Sequence, residues 1–557
     1  MKTDSRKAAI LFIGVICFVC CQTSHAQNSE KESRRQLSKS FSSKEVDWRK
    51  SQKININNIS TWIHWNGESD IDRTTNDAGF EFPKGSNKYC FYQSGLIWGG
   101  KVGDEIRVGG SKYSSSLTPG WIEVNGTPVD ENDERVRIYK TRSNYMTADL
   151  TDEAKDEQRT VEEIRAQYIK DSEEWHTELG APYQDINGDG IFTPNLDKIG
   201  IPAADQTLWF VALDTDEDLS QLAFNCKPTG IELQTSVWGY DANFPYNNMI
   251  FKRYVLINKS SDTIKDMYIG MWSDPDIGWA TDDFVGCNTV LNLGYGYNDE
   301  TKDEVYGFEV PAVGFQLIQG PKKNDRTKYF DMTSFAFFIS EYCPDTFEPP
   351  DKANVFLYNS LQGLIDCTGS PFINPLTHDT TKYALSGNPL NKTGWIDGII
   401  NKSGDRRMLI SSGPFNMEPG DTQEVIYAQI AAQGTDRLAS ILWLIRAAFT
   451  SQCLCYEPTK PALNVTLPEY FYLSQNYPNP FNPVTKIIYE IPIDCHVTLK
   501  VYDLLGKEIA TLVNEYKQAG QYSVEFRVKS GELSSGIYFY SIQAGQYFKY
   551  RKMILAK

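Results

Sequence analysis

Met249-Ile-Phe-Lys-Arg-Tyr-Val-Leu-Ile257 is an apolar run dominated by β-branched and aromatic residues, and it reads as a strand. Similar runs occur on both sides of it: Leu208-Trp-Phe-Val-Ala-Leu213, Asp266-Met-Tyr-Ile-Gly-Met-Trp272, Ser334-Phe-Ala-Phe-Phe-Ile339 and Glu424-Val-Ile-Tyr-Ala-Gln-Ile430. Nearer the N-terminus, Phe80-Glu-Phe-Pro83 precedes Tyr89-Cys-Phe-Tyr-Gln-Ser-Gly-Leu-Ile-Trp98 and Gly99-Gly-Lys-Val-Gly-Asp-Glu-Ile-Arg-Val108. The last two segments read as strands across a glycine turn. The expected fold of residues 51–455 is therefore mainly β, a large β-sandwich with a two-sheet core. Two helical patterns interrupt it. Between Thr151 and Trp175, Val161, Ile164, Tyr168 and Trp175 recur at helical spacing in a charged stretch, which predicts a surface helix inserted at about residues 150–176. Arg437-Leu-Ala-Ser-Ile-Leu-Trp-Leu-Ile-Arg-Ala-Ala-Phe449 is apolar on nearly every face and predicts a helix packed against the sandwich.

The N-terminal flank reads as an export signal. Lys2, Arg6 and Lys7 precede an apolar run from Ala8 to Cys21, and small residues follow at Ser24 and Ala26, so residues 1–26 are expected to be removed. That run falls short of the roughly 20 residues a spanning helix needs, and no later stretch predicts a transmembrane segment. Residues 27–50 are polar and lack apolar periodicity, as in a flexible arm. Without residues 1–26 the net charge moves from −17 to about −19, a surface that repels phosphate backbones and anionic headgroups and argues against nucleic-acid partners. Eight cysteines remain in a long chain, too few for a disulfide scaffold, so the core must come from apolar packing. Pro458 and Pro461 mark a linker over residues 456–472.

Beyond the linker, residues 473–557 change character. Three prolines and several asparagines in Leu473-Ser-Gln-Asn-Tyr-Pro-Asn-Pro-Phe-Asn-Pro483 predict a stiff leading loop. Period-two alternation follows in Thr485–Ile491, Val497–Tyr502, Tyr522–Phe526, Gly536–Ile542 and Lys549–Leu555, the pattern of a small antiparallel sandwich. The ordered set Asn476-Tyr-Pro-Asn-Pro-Phe-Asn-Pro483, Val501-Tyr-Asp-Leu-Leu-Gly-Lys507, Ala519-Gly-Gln-Tyr522, Leu533-Ser-Ser-Gly-Ile-Tyr538 and Lys552-Met-Ile-Leu555 resembles the type A C-terminal sorting domain of type IX secretion cargo. Cys495 lies outside that pattern. The resemblance implies an Ig-like sandwich and a partnership with the type IX translocon and its processing enzyme. The mature chain is then expected on the cell surface or released. It also gives a sorting motif at Asn476, Pro478, Asn479, Pro480, Phe481, Asn482, Pro483, Gly506, Gly520, Gly536 and Tyr538. The central stretch resembles a group of uncharacterised cargo proteins from type IX secreting bacteria, through phrases such as Ser94-Gly-Leu-Ile-Trp-Gly-Gly100, Asp274-Pro-Asp-Ile-Gly278 and Gly413-Pro-Phe-Asn-Met-Glu-Pro-Gly-Asp421. That resemblance implies no activity.

Candidate sites in the central region are acidic. Asp185-Ile-Asn-Gly-Asp-Gly-Ile-Phe-Thr-Pro-Asn-Leu-Asp197 sets oxygen ligands at Asp185, Asn187 and Asp189, a glycine bend, the Ile191 carbonyl and a displaced closing acid at Asp197, an EF-like loop suited to Ca2+ or, failing an ion, an Asx-rich turn. Asp214-Thr-Asp-Glu-Asp218 either shares that ion or faces water. Asp274, Asp276, Asp282 and Asp283 crowd one loop and would repel unless a cation, hydrogen bonds or raised pKa values neutralise them; structural Ca2+ is the simplest neutraliser, with a solvated loop or catalytic carboxylates as the other readings. His64, His176, His378 and His496 are scattered, and no metalloprotease helix, nucleophile elbow or phosphate loop is present, so no catalytic residue is assigned. Trp98, Trp238, Tyr240, Trp272 and Trp279 are either core or sugar-stacking. The expected function is a calcium-stabilised surface protein for binding, adhesion or structure, with glycans or other surface components as candidate partners. The alternative is a secreted polysaccharide-acting hydrolase using carboxylates among Asp274–Asp283.

Overall fold

The computed structural model describes residues 46–194, 196–299, 302–339, 352–365, 367–452, 471–491, 495–504, 506–517, 520–528, 533–544 and 547–556. The expected signal peptide, most of the arm and nearly all of the 456–472 linker lie outside the described residues. The chain divides into two compact units, the first running to Leu444 and the second formed chiefly from Ile445 onward.

The long strands of the first unit are β1 (Gln93–Val102), β2 (Glu105–Gly110), β3 (Gln206–Leu213), β4 (Ile231–Gly239), β5 (Met249–Asn258), β6 (Ile264–Asp274), β7 (Asp283–Asn288), β8 (Leu293–Asn298), β9 (Ala312–Gln319), β10 (Ser334–Ile339), β11 (Arg406–Met417) and β12 (Thr422–Ala432). One sheet runs from the short strands Ser51–Ile54, Thr61–His64 and Glu68–Ser69 through β1, β6 and β11 to β10, with β2 also paired to β1. The other runs from Thr118–Pro119 through β3, β4, β5, β12, β9 and β8 to β7, with Tyr139–Arg142 also on β3. Their strand pairings are antiparallel, and the β5–β6 and β11–β12 connections cross between the sheets. Leu96, Trp98, Ile269, Met271 and Ile410 from the first sheet join Leu208, Phe210, Leu233, Tyr254, Leu256, Phe315 and Tyr427 from the second in one buried cluster. This is the two-sheet core the apolar runs predict.

The β1–β2 hairpin departs from expectation. Gly99 and Gly100 stay inside β1, and the chain turns at Gly103, in the left-handed region at φ 61°, with Val102 opposite Glu105. The reason is close packing. A Cβ at Gly99 would stand 3.1 Å from Tyr358 Cδ2, and one at Gly100 would stand 2.6 Å from Ile264 Cγ2.

Five helices are described: α1 (Thr151–Glu157), α2 (Val161–Glu173), α3 (Glu217–Phe224), α4 (Ala353–Leu361) and α5 (Arg437–Gln452). α4 lies across the outer face of the first sheet, where Gly270 would clash with Leu361 if it carried a Cβ and Tyr358 meets Tyr268 at 6.1 Å. α3 arises from the acidic Asp214–Asp218 segment. Asp216 caps it by accepting the Leu219 N–H at 2.8 Å, and the buried Asp214 accepts the Thr229 N–H at 2.9 Å, so these acids serve local structure. α5 is anchored at its start by Ser440, whose hydroxyl donates to the Val310 carbonyl at 2.7 Å.

The inserted helix is two helices, broken at Gln158 in the left-handed region and restarted by a capping box between Thr160 and Glu163. Of the apolar stripe Val161, Ile164, Tyr168 and Trp175, Ile164 and Tyr168 are buried together with Val161 half-buried against them, while Trp175 lies beyond the helix end and is buried in a separate cluster. Periodicity does not reveal that charges are buried with them. Lys140 Nζ lies 2.7 Å from Glu153 and 2.6 Å from Glu157, Arg137 Nε lies 2.9 Å from Asp171, and Lys53 reaches Asp156 at 3.1 Å. The insertion is thus docked by ion pairs whose cations lie in strands, Lys53 and Lys140, or just before one, Arg137. Lys140→Met would remove the cation that Glu153 and Glu157 share, leaving Arg142 on the first and Arg159 on the second at 3.4 and 3.3 Å, and we expect a loss of about 3 kcal/mol in chemical denaturation.

The second unit holds β13 (Val484–Ile491), β14 (Cys495–Tyr502), β15 (Glu508–Lys517), β16 (Gly520–Arg527), β17 (Gly536–Ala544) and β18 (Tyr547–Leu555). Tyr472–Leu473, β13 and β16 form one sheet, and β15, β14, β17 and β18 the other. Ile487, Tyr489, Val497, Leu499, Val501, Tyr540, Ile542 and Met553 close its own core, as the alternation predicts.

Candidate functional site

The pairing of β6 with β11 builds the most chemically loaded cluster of the first unit. Ser273 is paired with Met408, so Asp274 at the end of β6 comes level with Arg407, while Asp405 leads into β11 and Asp276 follows in the next loop. Carboxylate oxygens of Asp274, Asp276 and Asp405 all lie within 4.8 Å of one another. Arg407 stands 3.6 Å from Asp274 and 3.0 Å from Asp405. The Tyr113 hydroxyl donates to Asp274 Oδ2 at 2.5 Å and accepts from Arg407 Nε at 2.6 Å, and the Tyr113 ring abuts Trp272 edge-on at 4.6 Å. Burial raises the Asp276 carboxyl well above the usual range, and Asp274 and Asp405 add to the shift while Arg407 opposes it. Burial, followed by the nearby Asp274 charge, likewise holds the Tyr113 phenol above its ordinary value. Three hard carboxylates converge beside a single strand pair, part of the oxygen set that a cation of the calcium type takes, with the Arg407 guanidinium already against two of them.

Of the four acids clustered in the sequence, Asp274 and Asp276 enter this group. Asp283 is fully buried and accepts the Ile277 N–H at 3.0 Å, which ties the loop shut. Burial, with Asp276, Asp282 and Asp303 nearby, raises its carboxyl well above the usual range. Asp282 is half-buried, and its carbonyl accepts the Asp299 N–H at 2.7 Å. Asp303 supports the same loop from behind by accepting the Trp279 N–H at 3.0 Å, and Gly278 at φ 70° leaves room for it, since a Cβ there would stand 2.3 Å from Asp303 Oδ1. Asp405, Arg407 and Tyr113 were not identified from sequence, because nothing in their spacing connects them to Asp274; pairing and loop return bring them there.

The Asp185–Asp197 loop is exposed and internally hydrogen-bonded. Asp185 accepts the Gly188 and Gly190 N–H groups at 2.7 Å each, Asn187 accepts from Asp189 at 3.2 Å, and Asp189 accepts from Ile191 at 2.8 Å. Asp197 joins the loop ends by accepting from Ile186 at 2.8 Å and Thr193 at 2.7 Å. The backbone bonds to Asp185, that from Gly190 foremost, hold its carboxyl below the usual range. Among the tryptophans named above, Trp98, Trp238 and Trp272 are buried, and so is Tyr240, whereas Trp279 is 49% exposed.

The raised Asp276 carboxyl gives a signed prediction. Its proton is held more tightly in the folded state, so the stabilisation is complete below the unfolded value of about 3.9 and is lost as pH rises through the higher folded value. In chelator, Asp276→Asn is expected to unfold at a higher temperature than the parent at neutral pH. That advantage should shrink to nothing on acidification below the unfolded value, as thermal melts across pH would show.

In the second unit the motif residues are structural. Buried Asn476 donates its N–H to the Tyr540 hydroxyl at 2.8 Å and its side-chain amide to the Pro478 carbonyl at 3.0 Å. Asn479 accepts the Ile554 N–H at 2.9 Å, and Phe481 is buried, with its N–H on the Ile554 carbonyl at 2.9 Å. Gly506, at φ 80°, closes a turn on Asp503, and the Tyr538 hydroxyl donates to the Ser534 carbonyl at 2.9 Å. Gly520 and Gly536 open β16 and β17, and Pro480, Asn482 and Pro483 complete the loop that leads into β13.

Residues 475–556 match the family model described as the secretion system C-terminal sorting domain. No curated protein matches the chain. Among solved structures, a polysaccharide lyase aligns with a TM-score of 0.19 and 8% identity, over 59% of this chain and 34% of the lyase, so the chain spans about a third of that protein. A secretion-system sorting domain thus forms the C-terminal part of the chain, which is cargo of the type IX secretion route.

Proposed function

We propose that the first unit is the passenger and works outside the cell as a calcium-stabilised binding, adhesion or structural protein. In this reading residues 1–26 take the chain across the inner membrane. The second unit is a type A sorting domain that the translocon reads and its processing enzyme removes. The observation that supports calcium is the convergence of Asp274, Asp276 and Asp405, where burial and then the neighbouring carboxylates raise the Asp276 carboxyl even with Arg407 beside them. A bound cation would let all three ionise and would lock the end of β6 to the start of β11. The Asp185–Asp197 loop is the second calcium candidate, although its carboxylates already serve its own backbone. Glycans and other surface components are the partners this role calls for.

A secreted polysaccharide-acting hydrolase is the second reading. It draws on the same pair, since a carboxyl raised by burial beside one that accepts a hydroxyl and stands 3.6 Å from a guanidinium is how an acid and its partner are set apart.

Calcium at about a hundredfold excess over its Kd should stabilise the first unit by about 2–3 kcal/mol, reversibly with chelator. Asp276→Asn should abolish the gain if the ion sits at Asp274, Asp276 and Asp405, whereas Asp189→Asn should abolish it if the ion sits in the loop. No calcium-dependent gain in the parent protein would refute the proposal. Glycan turnover lost in a fully folded Asp276→Asn variant would favour the hydrolase. Deleting residues 475–556 should leave the chain in the periplasm, as fractionation and surface labelling would report; normal surface display of the truncated chain would contradict the sorting assignment.

A further inference from the structure

Away from the acid site, the interior between the sheets contains a second polar cluster. Lys252 projects inward from β5, and its Nζ donates to Ser69 Oγ at 2.7 Å and to Ser94 Oγ at 3.4 Å. The same Nζ stands 3.9 Å from Asp70 Oδ2, with side-chain exposures of 1% for Lys252 and 0% for Asp70. Asp70 follows the Glu68–Ser69 strand of the opposite sheet. Its carboxyl accepts from Thr61 Oγ1 at 2.9 Å, from Gln429 Nε2 at 2.9 Å and from the Ser94 hydroxyl. The Phe315 ring lies 5.2 Å from Nζ, and Tyr254 is part of the same core.

Three features set this cluster apart from an ordinary ion pair. The charges are dry and not in close contact, a geometry in which desolvation outweighs attraction. Burial pushes the Lys252 amine below its ordinary value, with Asp70 opposing, which lowers the cost of giving up its proton. Asp70 also sits at φ 76°, in the left-handed region, fixed by its N–H on the Trp62 carbonyl at 2.9 Å and its carbonyl on the Gly79 N–H at 2.6 Å. Backbone strain of that kind persists only where surrounding contacts enforce it, and here it directs the carboxyl inward.

We propose that Lys252 and Asp70 condense into an intramolecular amide that staples the two sheets of the first unit together. Proton transfer from the ammonium to the carboxylate first neutralises both groups. The Nζ lone pair then attacks Asp70 Cγ, and an amine proton passes through Ser94 Oγ to the departing oxygen, which leaves as water. One C–N bond forms and one C–O bond breaks, with no change of oxidation state and no co-reactant. Ser69 orients the amine, while Thr61 and Gln429 donate to the carboxyl oxygens as charge builds on them. Holding the amine 3.9 Å from Asp70 Oδ2 in a packed interior replaces a bimolecular encounter by a short positioned approach, and the burial of both groups keeps bulk water from reversing the bond. Cys90, Cys226 and Cys287, which lie in the same core, are free, so the amide would tie the sheets covalently where these thiols do not.

The test is peptide mapping of the secreted, folded protein by mass spectrometry after full denaturation and reduction. The expected result is a joined pair of tryptic peptides, one carrying Asp70 and one carrying Lys252, lighter by one water than their sum. The pair should vanish in a Lys252→Met, Asp70→Asn double variant, which removes both charges at once. Recovery of the two peptides separately from folded parent protein would overturn the proposal. A pair lighter by one ammonia and linking Lys252 to Gln429 would overturn it as well, because the bond would then be a different one.

Discussion

The register of β6 between β1 and β11 is the constraint on which the first unit depends. The strand is hydrogen-bonded along both edges, so its alternation is fixed twice over. Ile269 and Met271 face the partner sheet, Tyr268 and Gly270 lie beneath α4, and Asp274 ends level with Arg407. A slip of one residue would place Gly270 in the core, drive methionine into α4 and separate Asp274 from Arg407. Core, helix contact and candidate site are therefore one registration event.

Buried charge is the second theme. Lys140 and Arg137 dock the helical insertion through Glu153, Glu157 and Asp171, and Lys252 meets Asp70 between the sheets. Such groups contribute little net stability compared with apolar replacements, yet they penalise misplacement heavily, because an unmatched partner stays desolvated. They suit a core in which Cys90, Cys226 and Cys287 are free thiols. The second unit relies on alternation and a hydrogen-bonded leading loop, in which Asn476, Asn479 and Phe481 bind the loop to β17 and β18. Its motif residues are explained by its own fold, which is what a self-contained address label requires.

Strand segments were legible because an apolar or alternating run has one low-energy reading when flanked by turn residues. The sorting unit was the clearest case, since its five motifs fall in order along one small sandwich. α3 and α4 were missed: the first lies in an acidic stretch that reads as loop, and the second is apolar without a clear period, so only packing on the sheet makes it a helix. The glycines of β1 were misread as a turn, because sequence does not distinguish a glycine needed for φ from one needed for space.

By itself the sequence determined that the chain is β-rich, that its C-terminal part is a separate sorting unit and that its acids would need neutralising, since composition and period are local properties. Which acids meet was decided only in three dimensions. Asp274 and Asp276 part from Asp283 within a few residues and join Asp405 from far along the chain, because strand pairing sets neighbours by register and a folded loop can turn adjacent carboxylates in different directions.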